Sequence, residues 1–549
     1  MRSASSSPLH YLSTNNTIIL AILLALAIVA MTGCGSSGST GGGGGQKFGG
    51  NTSVSVVLTS TANDQLSEFR LEFETLTLTS QSGKTVNLLS AQQPAELIHL
   101  NGGIEPLTTV SVPQDIYTSA TATIGGADFT CVTVSASGSD TPGWLDVSMF
   151  AYGYTPDSNV TVNLPAPLTV TGDSMALTLN LLVSQSASYP STCYPPQGTV
   201  QFAITPTFAL TPLTVSSQPT NAANGKVTEL EGGIASTNAA NTSFTLSIPE
   251  GPGGTSDTRT LSVASNTATL FQGISGFAGL QVGTFVDMDG AIQPDGSLLA
   301  TRIAVEDPSA VNVMSGPLLG VISLSGQPLL SSFGRLQQGP LLDPEGVGYG
   351  GYFSFGAALF QTSGQLANLQ NLPFVAAFNS SNLVAGQNIY MSFTTLPDCC
   401  GNPVGNAQTV TLIPQTINGT VFGSAVTGEF TDYTVSLASY DLFPTLTALE
   451  TPWQATLLTN PNQVEVYIDS TTQQLNTQPL AAGSTLRFYG LVFNDNGTLR
   501  MDCAQVSDGV TASSQSSSSR HLEMGESQTV RPKTPGGWLQ TTTVVANPR

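Results

Sequence analysis

The chain has 549 residues and a hydrophobic content of 40%, which is sufficient for several folded cores and excludes a wholly disordered protein. Only 9% of the residues are charged, and 35 acidic residues against 14 basic ones give a net charge of −21. Because phosphate neutralisation requires clustered Lys and Arg, we expect no nucleic-acid partner and no electrostatic binding to anionic lipid.

The N-terminal segment has the pattern of an export signal. Residues 18–30 are apolar or small throughout, and Arg2 gives the segment a weak positive flank. An apolar run of about a dozen residues is too short for a membrane-spanning helix, which needs roughly 20. We therefore predict that residues 1–33 are a signal peptide.

The residues that end this signal, Met31-Thr32-Gly33-Cys34, resemble the bacterial lipoprotein signal, although Met31 stands where that family prefers Leu. The resemblance implies that Cys34 becomes a diacylated N-terminus. It also implies an exported protein that is lipid-anchored to the bacterial cell envelope, at the outer membrane or the cell surface. Two acyl chains are sufficient for stable anchoring. The alternative is a plain cleaved signal in which Cys34 is incidental.

Residues 34–50 are mostly Gly, Ser and Thr, which predicts a flexible tether with a reach on the order of 20 Å. Short runs of alternating apolar and polar residues then continue to about residue 211. Val54, Val56 and Leu58 are spaced two apart, and residues 69–73 show the same alternation. This period is typical of strands with one buried face, so residues 51–211 are predicted to form a β-sandwich.

Four segments of this domain occur in a recognisable order: residues 54–59, 69–74, 96–102 and 112–118. Together they resemble the domain of unknown function 4382, an N-terminal β-domain of bacterial lipoproteins. That family usually has Gly where Asp115 stands here. The resemblance implies a location and a fold class, and it contributes no catalytic residue.

After a linker at residues 212–225, one pattern recurs at intervals of about 100 residues. Residues 282–303 and 482–506 each predict a strand, an Asp-Gly or Asn-Gly hairpin and a returning strand, and a degraded copy begins at Ala385. The copies resemble the domain of unknown function 5666, a small β-barrel. We predict modules at 226–307, 308–415 (degraded, with an insertion) and 416–510, followed by a disordered tail at 511–549. The whole chain is thus predicted to be all-β.

If Cys34 carries lipid, five cysteines remain in an oxidising compartment. Cys131 and Cys193 fall in one predicted domain, and we expect a disulfide between them that stabilises the fold by about 4 kcal/mol. Three arrangements stay open for the others: Cys503 with Cys399, Cys503 with Cys400, or Cys399 with Cys400.

Most catalytic motifs are absent from the sequence. It contains no nucleophile elbow, phosphate loop or dinucleotide fingerprint. His99 lies in a strand-like run, where a structural role is expected. Residues 172–175 are similar to the serine block of a lipase family but lack its later Asp and His, so they predict a turn that opens a strand. We predict no catalytic residue, no cofactor and no metal.

Asp287 and Asp289 share one face of a predicted strand, and Asp295 follows at a hairpin. Three such carboxylates are possible calcium ligands. The aligned positions of the last repeat are Arg487 and Tyr489, however, so the repeat does not require acids there. We expect a solvated strand face.

An aromatic cluster is the better candidate for a binding site. It comprises Trp144, Phe150, Tyr152 and Tyr154, of which the last three alternate onto one strand face. Exposed rings of this kind stack on the apolar faces of sugars, whereas buried ones would fill the sandwich core. We therefore expect a non-enzymatic binding or scaffolding protein that has carbohydrate or another envelope component as its ligand. The alternatives are a purely structural envelope lipoprotein and a hydrolase that uses acidic residues alone, such as a glycosidase.

Overall fold

A computed structural model of the chain places every residue that it describes, apart from Phe48, in one compact unit, 49–549. The described residues are 48–61, 66–98, 100, 103–136, 145–154, 158–188, 203–213, 225–249, 258–293, 295–307, 309–324, 327–339, 349–363, 369–395, 404–438, 441–448 and 458–509. The predicted signal peptide, the predicted tail and Cys34 lie outside these ranges, as does most of the predicted tether.

The described part of the chain is almost entirely β-structure, which confirms the predicted all-β class. Its helical elements are α1 (Val183–Ser186), α2 (Leu442–Ala448) and two 3-10 turns (Phe277–Gly279 and Leu369–Asn371). Within the described ranges, no helix is long and apolar enough to cross a membrane.

The first domain is built around one sheet of eleven strands in the order β3-β2-β6-β8-β13-β10-β1-β5, with β4 beside β2 and with β7 and β9 beside β6. A separate pair, β11 and β12, completes the domain. Its strands are β1 (Asn51–Ser60), β2 (Leu66–Ser80), β3 (Thr85–Asn87), β4 (Gln93–Glu96), β5 (Glu105–Pro113), β6 (Asp115–Ala136), β7 (Leu145–Tyr154), β8 (Ser158–Asn163), β9 (Leu168–Val170), β10 (Ser174–Leu181), β11 (Ala187–Ser188), β12 (Ala203–Ile204) and β13 (Phe208–Pro212).

This sheet folds over a single hydrophobic core. On β2, Phe69, Leu71 and Phe73 are fully buried, as their alternation predicts. The Phe73 ring lies 5.5 Å from the ring of Phe208 on β13, although β6 and β8 separate the two strands within the sheet. Packing across the fold therefore joins strands that are distant in the hydrogen-bonded order, as in a sandwich.

Three further sheets of six strands each follow, and their strand order is the same. The first module has β14 (Lys226–Asn238), β15 (Ser243–Pro249), β16 (Thr258–Ala264), β17 (Leu270–Gln272), β18 (Phe285–Ile292) and β19 (Leu298–Glu306). The second has β20 (Asn312–Leu324), β21 (Gln327–Gln338), β22 (Tyr349–Ser354), β23 (Leu359–Thr362), β24 (Asn388–Thr395) and β25 (Val404–Leu412). The third has β26 (Gln415–Thr427), β27 (Phe430–Leu437), β28 (Gln463–Ile468), β29 (Gln473–Gln474), β30 (Thr485–Asp495) and β31 (Thr498–Asp508).

In every module, five of the six strands close into a barrel. The first strand pairs with the second and the fifth, and the third pairs in parallel with the sixth. The short fourth strand is added beside the sixth, also in parallel. A five-stranded barrel closed in this order has the topology of an OB-fold.

The domains share apolar cores across their boundaries. Val57 and Ala176 of the first domain belong to the core of the first barrel. Leu491 and Phe493 of the third barrel belong to the core of the second, and Val384 of the second module lies in the core of the third. The four domains are thus packed against one another.

Buried polar bonds also cross these boundaries. Arg259 of the first barrel forms an ion pair with Glu105 of the first domain, and both side chains are buried. The Tyr390 hydroxyl of the second barrel donates a hydrogen bond to Glu231 of the first. The amide of Gln387 donates to the carbonyl of Val492 in the third barrel over 3.0 Å. These bonds fix the orientation of each module relative to the next.

Candidate functional site

The aromatic cluster predicted from the sequence lies at the edge of the described sheet. Trp144 lies outside the described residues, and only the backbone of Phe150, Tyr152 and Tyr154 is described, on β7. The position of Tyr152 is directly opposite residue 129 of β6, which is in turn opposite the fully buried Phe69. The side chains of Phe150, Tyr152 and Tyr154 lie outside the described part, so their role in ligand binding stays a prediction.

The cysteine predictions are tested only in part. Cys193, Cys399, Cys400 and the side chain of Cys131 lie outside the described part, so the predicted Cys131–Cys193 disulfide stays a prediction. Cys503 is a free and buried thiol, which disagrees with both arrangements that pair it. Burial raises the pKa of this thiol and makes it a poor nucleophile.

Asp287 and Asp289 are not on a solvated strand face, so that expectation was wrong. They are 4% and 8% exposed, and Glu231, which is directly opposite Asp287, accepts a hydrogen bond from Tyr390 of the second barrel. Arg302 bridges them, with Nη2 at 2.6 Å from Asp287 Oδ2 and Nε at 2.6 Å from Asp289 Oδ2. Burial raises the pKa of Asp287 to about 7 despite this arginine.

The predicted calcium ligands do not converge in this arrangement. Asp295 is exposed and accepts hydrogen bonds from the backbone and hydroxyl of Ser297 at the hairpin. Among the described residues, no group of three or more His, Cys, Asp or Glu has the geometry of a metal site. His99 lies outside the described part, and residues 172 and 173 form a bend that leads into β10 at Ser174, in agreement with the predicted turn.

A different set of residues lines up on the outside of the third barrel. Gly423 on β26 is directly opposite Thr434 on β27, Thr434 is opposite Glu465 on β28, and Glu465 is opposite Arg500 on β31. Directly paired residues point to the same face of a sheet. The alternate residues on these strands, Val435, Val464 and Leu499, fill the barrel interior. We call this outward row of four residues the Arg500 strip.

The two charged residues of the strip, Glu465 and Arg500, are partly exposed. Arg500 Nε lies 3.2 Å from Glu465 Oε2 and 3.4 Å from Asp495 Oδ2. The Arg500 and Glu465 side chains are 24% and 28% exposed, although Nε of Arg500 is itself buried. The strip therefore offers a cation and a carboxylate next to each other on an accessible surface.

The Tyr467 hydroxyl fixes the position of this carboxylate. It donates a hydrogen bond to Glu465 Oε2 over 3.1 Å. Burial and the nearby acids outweigh Arg500 and raise the pKa of Tyr467 to about 12, so the hydroxyl keeps its proton at neutral pH. Glu465 is thereby held towards Arg500 by a donor that does not titrate.

Aromatic rings bound the strip at its two ends. At one end, Phe422 occupies the bulge beside Gly423 and is 57% exposed. At the other end, Phe374 of the second module packs on Tyr467, with ring centroids 4.9 Å apart. The Arg500 guanidinium carbon lies 5.7 Å from the centroid of the Phe374 ring, within the range of a cation–π contact. An exposed ring, a carboxylate and a guanidinium thus follow one another across the surface.

The first barrel shows that the fold does not require these side chains. Its positions matching Gly423, Thr434 and Glu465 are Ser236, Thr245 and Ser262, which form the same row. Ala235 occupies the bulge position of Phe422 in that barrel. The charge and the exposed ring are thus additions to a common scaffold, which makes the Arg500 strip the candidate site of this molecule.

Residues 231–304 match the model of a family described as Domain of unknown function (DUF5666). The match lies wholly within the first barrel and confirms the resemblance stated for that module. No curated protein matches the chain. The second and third modules share the strand order of the DUF5666 module, which relates them to it by fold.

Proposed function

We propose that this protein is an exported, lipid-anchored bacterial surface protein that binds carbohydrate on the Arg500 strip without converting it. The observation that supports this best is that Ser262 and Ala235 of the first barrel are replaced in the third by Glu465, which lies beside Arg500, and by the exposed Phe422. The fold of the barrel does not require these side chains, so their presence is most simply explained by binding of a ligand.

The chemistry of the strip suits a sugar. Sugar hydroxyls donate hydrogen bonds to Glu465 and accept them from Arg500, and the apolar face of a pyranose packs on the ring of Phe422. In OB-fold barrels, the outer face of the second and third strands binds oligonucleotides or oligosaccharides. A net charge of −21 disfavours the oligonucleotide, so the oligosaccharide is the better ligand.

The proposed location rests on the sequence. The apolar segment 18–30 and Cys34 resemble a lipoprotein signal, and the Gly-rich segment that follows would separate a binding body from the membrane. The first domain is proposed to belong to the domain of unknown function 4382 on the same basis.

The test is retention of unit 49–549 on insoluble and arrayed polysaccharides. This unit contains all four described cores, so it is suitable for isolated study. We expect Glu465→Gln and Arg500→Gln each to reduce retention at least about tenfold, which corresponds to the loss of one charged hydrogen bond. Ser262→Ala, at the matching position of the first barrel, is the control that leaves retention unchanged.

A second variant tests the aromatic strand. Loss of retention only in the Tyr152→Ala, Tyr154→Ala double variant would move the site to β7 and overturn the role of the strip. If no glycan is retained by the unsubstituted unit, carbohydrate binding is refuted. The structural envelope role, which the buried bonds between modules favour, would then be the better proposal.

One observation favours an enzyme as the alternative. Glu465 and Asp495 approach the same nitrogen of Arg500, so two carboxylates lie close together. A glycosidase, however, needs two carboxyl groups that flank the glycosidic bond, and here both carboxylates are directed at one arginine. Release of reducing ends from a retained glycan, abolished by Glu465→Gln, would establish this alternative.

A further inference from the structure

The first strand of the third barrel, β26, has a free edge where it extends past its neighbour. β26 pairs with β30 only up to Thr420, because β30 begins at Thr485. From Phe422 to Thr427, β26 pairs with β27 alone among the described strands. Residues 424–427 are all exposed. Residues 422–427 thus present an open sheet edge to solvent.

Alternate residues of this edge direct their backbone groups outward. Thr427 and Phe430 close a two-residue hairpin, and the backbone groups of such a closing pair bond to each other. Because this pattern alternates along an antiparallel pair, the N–H and C=O groups of Ser424 and Val426 point away from β27. An outward row of donors and acceptors is a template for one further strand.

Apart from the bulge at Phe422, this edge lacks the features that usually keep a free edge from pairing. Residues 422–427 include no charged residue and no proline. Val426, at 78%, is the most exposed large hydrophobic side chain in the described part of the chain, and Phe422 is 57% exposed. The matching stretch of the first barrel, residues 235–238, is Ala-Ser-Thr-Asn and has no large apolar side chain. The edge of the third barrel therefore combines open backbone groups with apolar side chains that a partner would cover.

One segment of the predicted tail has the sequence pattern of a strand. Residues 538–546 are Trp-Leu-Gln-Thr-Thr-Thr-Val-Val-Ala, of which six are β-branched or aromatic and none is charged. Pro-Gly-Gly precedes the segment and Asn-Pro follows it, and such residues are typical of strand boundaries. We call residues 538–546 the tail segment.

The chain leaves the third barrel beside the free edge. Gly509 donates a backbone hydrogen bond to Thr485 over 3.1 Å, and Thr485 is directly opposite Thr420, two residues before Phe422. The connection from Gly509 to the tail segment has a reach on the order of 30 Å, which is ample for this short distance.

Charge also favours the tail over a second copy of the chain. Residues 510–549 contain four of the 14 basic residues and only two of the 35 acidic ones, so the tail is attracted to an acidic body. A second copy would instead bring one net charge of −21 towards another.

We propose that the tail segment adds to the outer edge of β26 as a further strand. The backbone groups of Ser424 and Val426 supply the hydrogen bonds, and apolar side chains of the tail segment cover Phe422 and Val426. The connection makes this docking intramolecular, at an effective concentration on the order of 1 mM. The charged residues of the Arg500 strip lie beyond β27, so this inference does not rest on the carbohydrate proposal.

Hydrogen–deuterium exchange of unit 49–549, measured by mass spectrometry, tests this docking. We expect the amides of the tail segment to exchange at least about tenfold more slowly than those of a synthetic peptide of the same sequence, since strand pairing protects them. The Val544→Pro, Val545→Pro double variant should abolish the protection. Ser424→Pro should do the same, because proline removes an outward N–H and is tolerated on an edge strand. Thr237→Pro, at the matching position of the first barrel, is the control that retains the protection.

Circular dichroism establishes that each variant is folded, and the tail variant decides the matter if Ser424→Pro does not fold. Exchange of the tail segment as fast as that of the peptide, or protection that persists in folded Ser424→Pro, would overturn the proposal. Sedimentation at several concentrations detects the other occupant. A dimer that persists in the double variant and is lost in Ser424→Pro would assign the edge to a second copy of the chain instead. Glycan retention is measured separately, so failure here leaves the carbohydrate proposal untouched.

Discussion

At the scale of single residues, buried carboxyl groups link stability to pH. Asp502 on β31 is buried, and its Oδ2 is without a hydrogen-bond partner. Burial, and then the nearby Asp469, raise its pKa to about 7, whereas an unfolded chain has an Asp pKa near 3.9. The folded protein therefore holds this proton more tightly than the unfolded one. The stability that results is complete below about pH 4 and is lost as the pH rises through 7.

Asp502→Asn should therefore stabilise the protein at pH 8. The neutral amide removes the cost of a buried anion, and we expect a gain in the free energy of unfolding on the order of 2 kcal/mol at pH 8 that disappears towards pH 4. Thermal unfolding of both proteins between pH 4 and pH 8 measures this. Asp173→Asn, at an exposed position, is the control. A gain that is the same at every pH would contradict the explanation.

At the scale of elements, the loop before β24 depends on one glycine. Gly386 has a positive φ of +98°, and a Cβ there would lie 2.6 Å from a ring atom of Phe443 on α2. Its carbonyl also accepts a hydrogen bond from the Gln415 amide over 2.9 Å. The second and third modules thus meet at a point where a side chain does not fit.

Gly386→Ala should destabilise the protein by about 2–4 kcal/mol, because backbone strain and displacement of Phe443 add together. Gly428→Ala is a matched control, since its φ is +65° but nothing lies within 4 Å of the added Cβ, and about 1 kcal/mol is expected. Denaturant unfolding measures both variants. Equal losses would show that the contact with Phe443 contributes nothing.

Local sequence signals predicted many of these elements. The Asn496-Gly497 turn joins β30 to β31 as expected, with both residues at positive φ. The alternation at Phe69, Leu71 and Phe73 correctly predicted a buried strand face. The Arg500 strip was not predicted, because Thr434, Glu465 and Arg500 meet only through pairings between strands distant in sequence. The sequence offered one signal for the strip, which is that Glu465 aligns with Ser262 of the first repeat.

At the scale of the whole molecule, burial at contacts between modules could not be predicted from local sequence patterns. Asp287 resembles a solvent-facing strand residue in its own repeat, but it is buried, and Glu231 opposite it is bonded to Tyr390 of the second barrel. The Glu105–Arg259 pair joins residues of two domains that are 154 positions apart in sequence. We infer that the four domains unfold in one cooperative transition rather than independently.

Arg259→Met should weaken that coupling. It leaves Glu105 buried without its arginine partner, and removal of one member of a buried pair costs about 3–5 kcal/mol. Calorimetry of unit 49–549 should show one cooperative transition, and the variant should show the first domain unfolding at a lower temperature than the barrels. Adding Glu105→Gln to the variant should recover part of the loss. Two separate transitions in the unsubstituted unit would contradict the inference.

Binding at the Arg500 strip is tested most directly by the affinity of unit 49–549 for whichever glycan it retains, compared with that of the Arg500→Gln variant. Calorimetric titration gives both dissociation constants under one set of conditions. We predict an affinity at least about tenfold weaker for the variant, with Ser262→Ala equal to the unsubstituted unit. Equal affinity of the Arg500→Gln variant and the unsubstituted unit would show that the Arg500 strip is not the binding site.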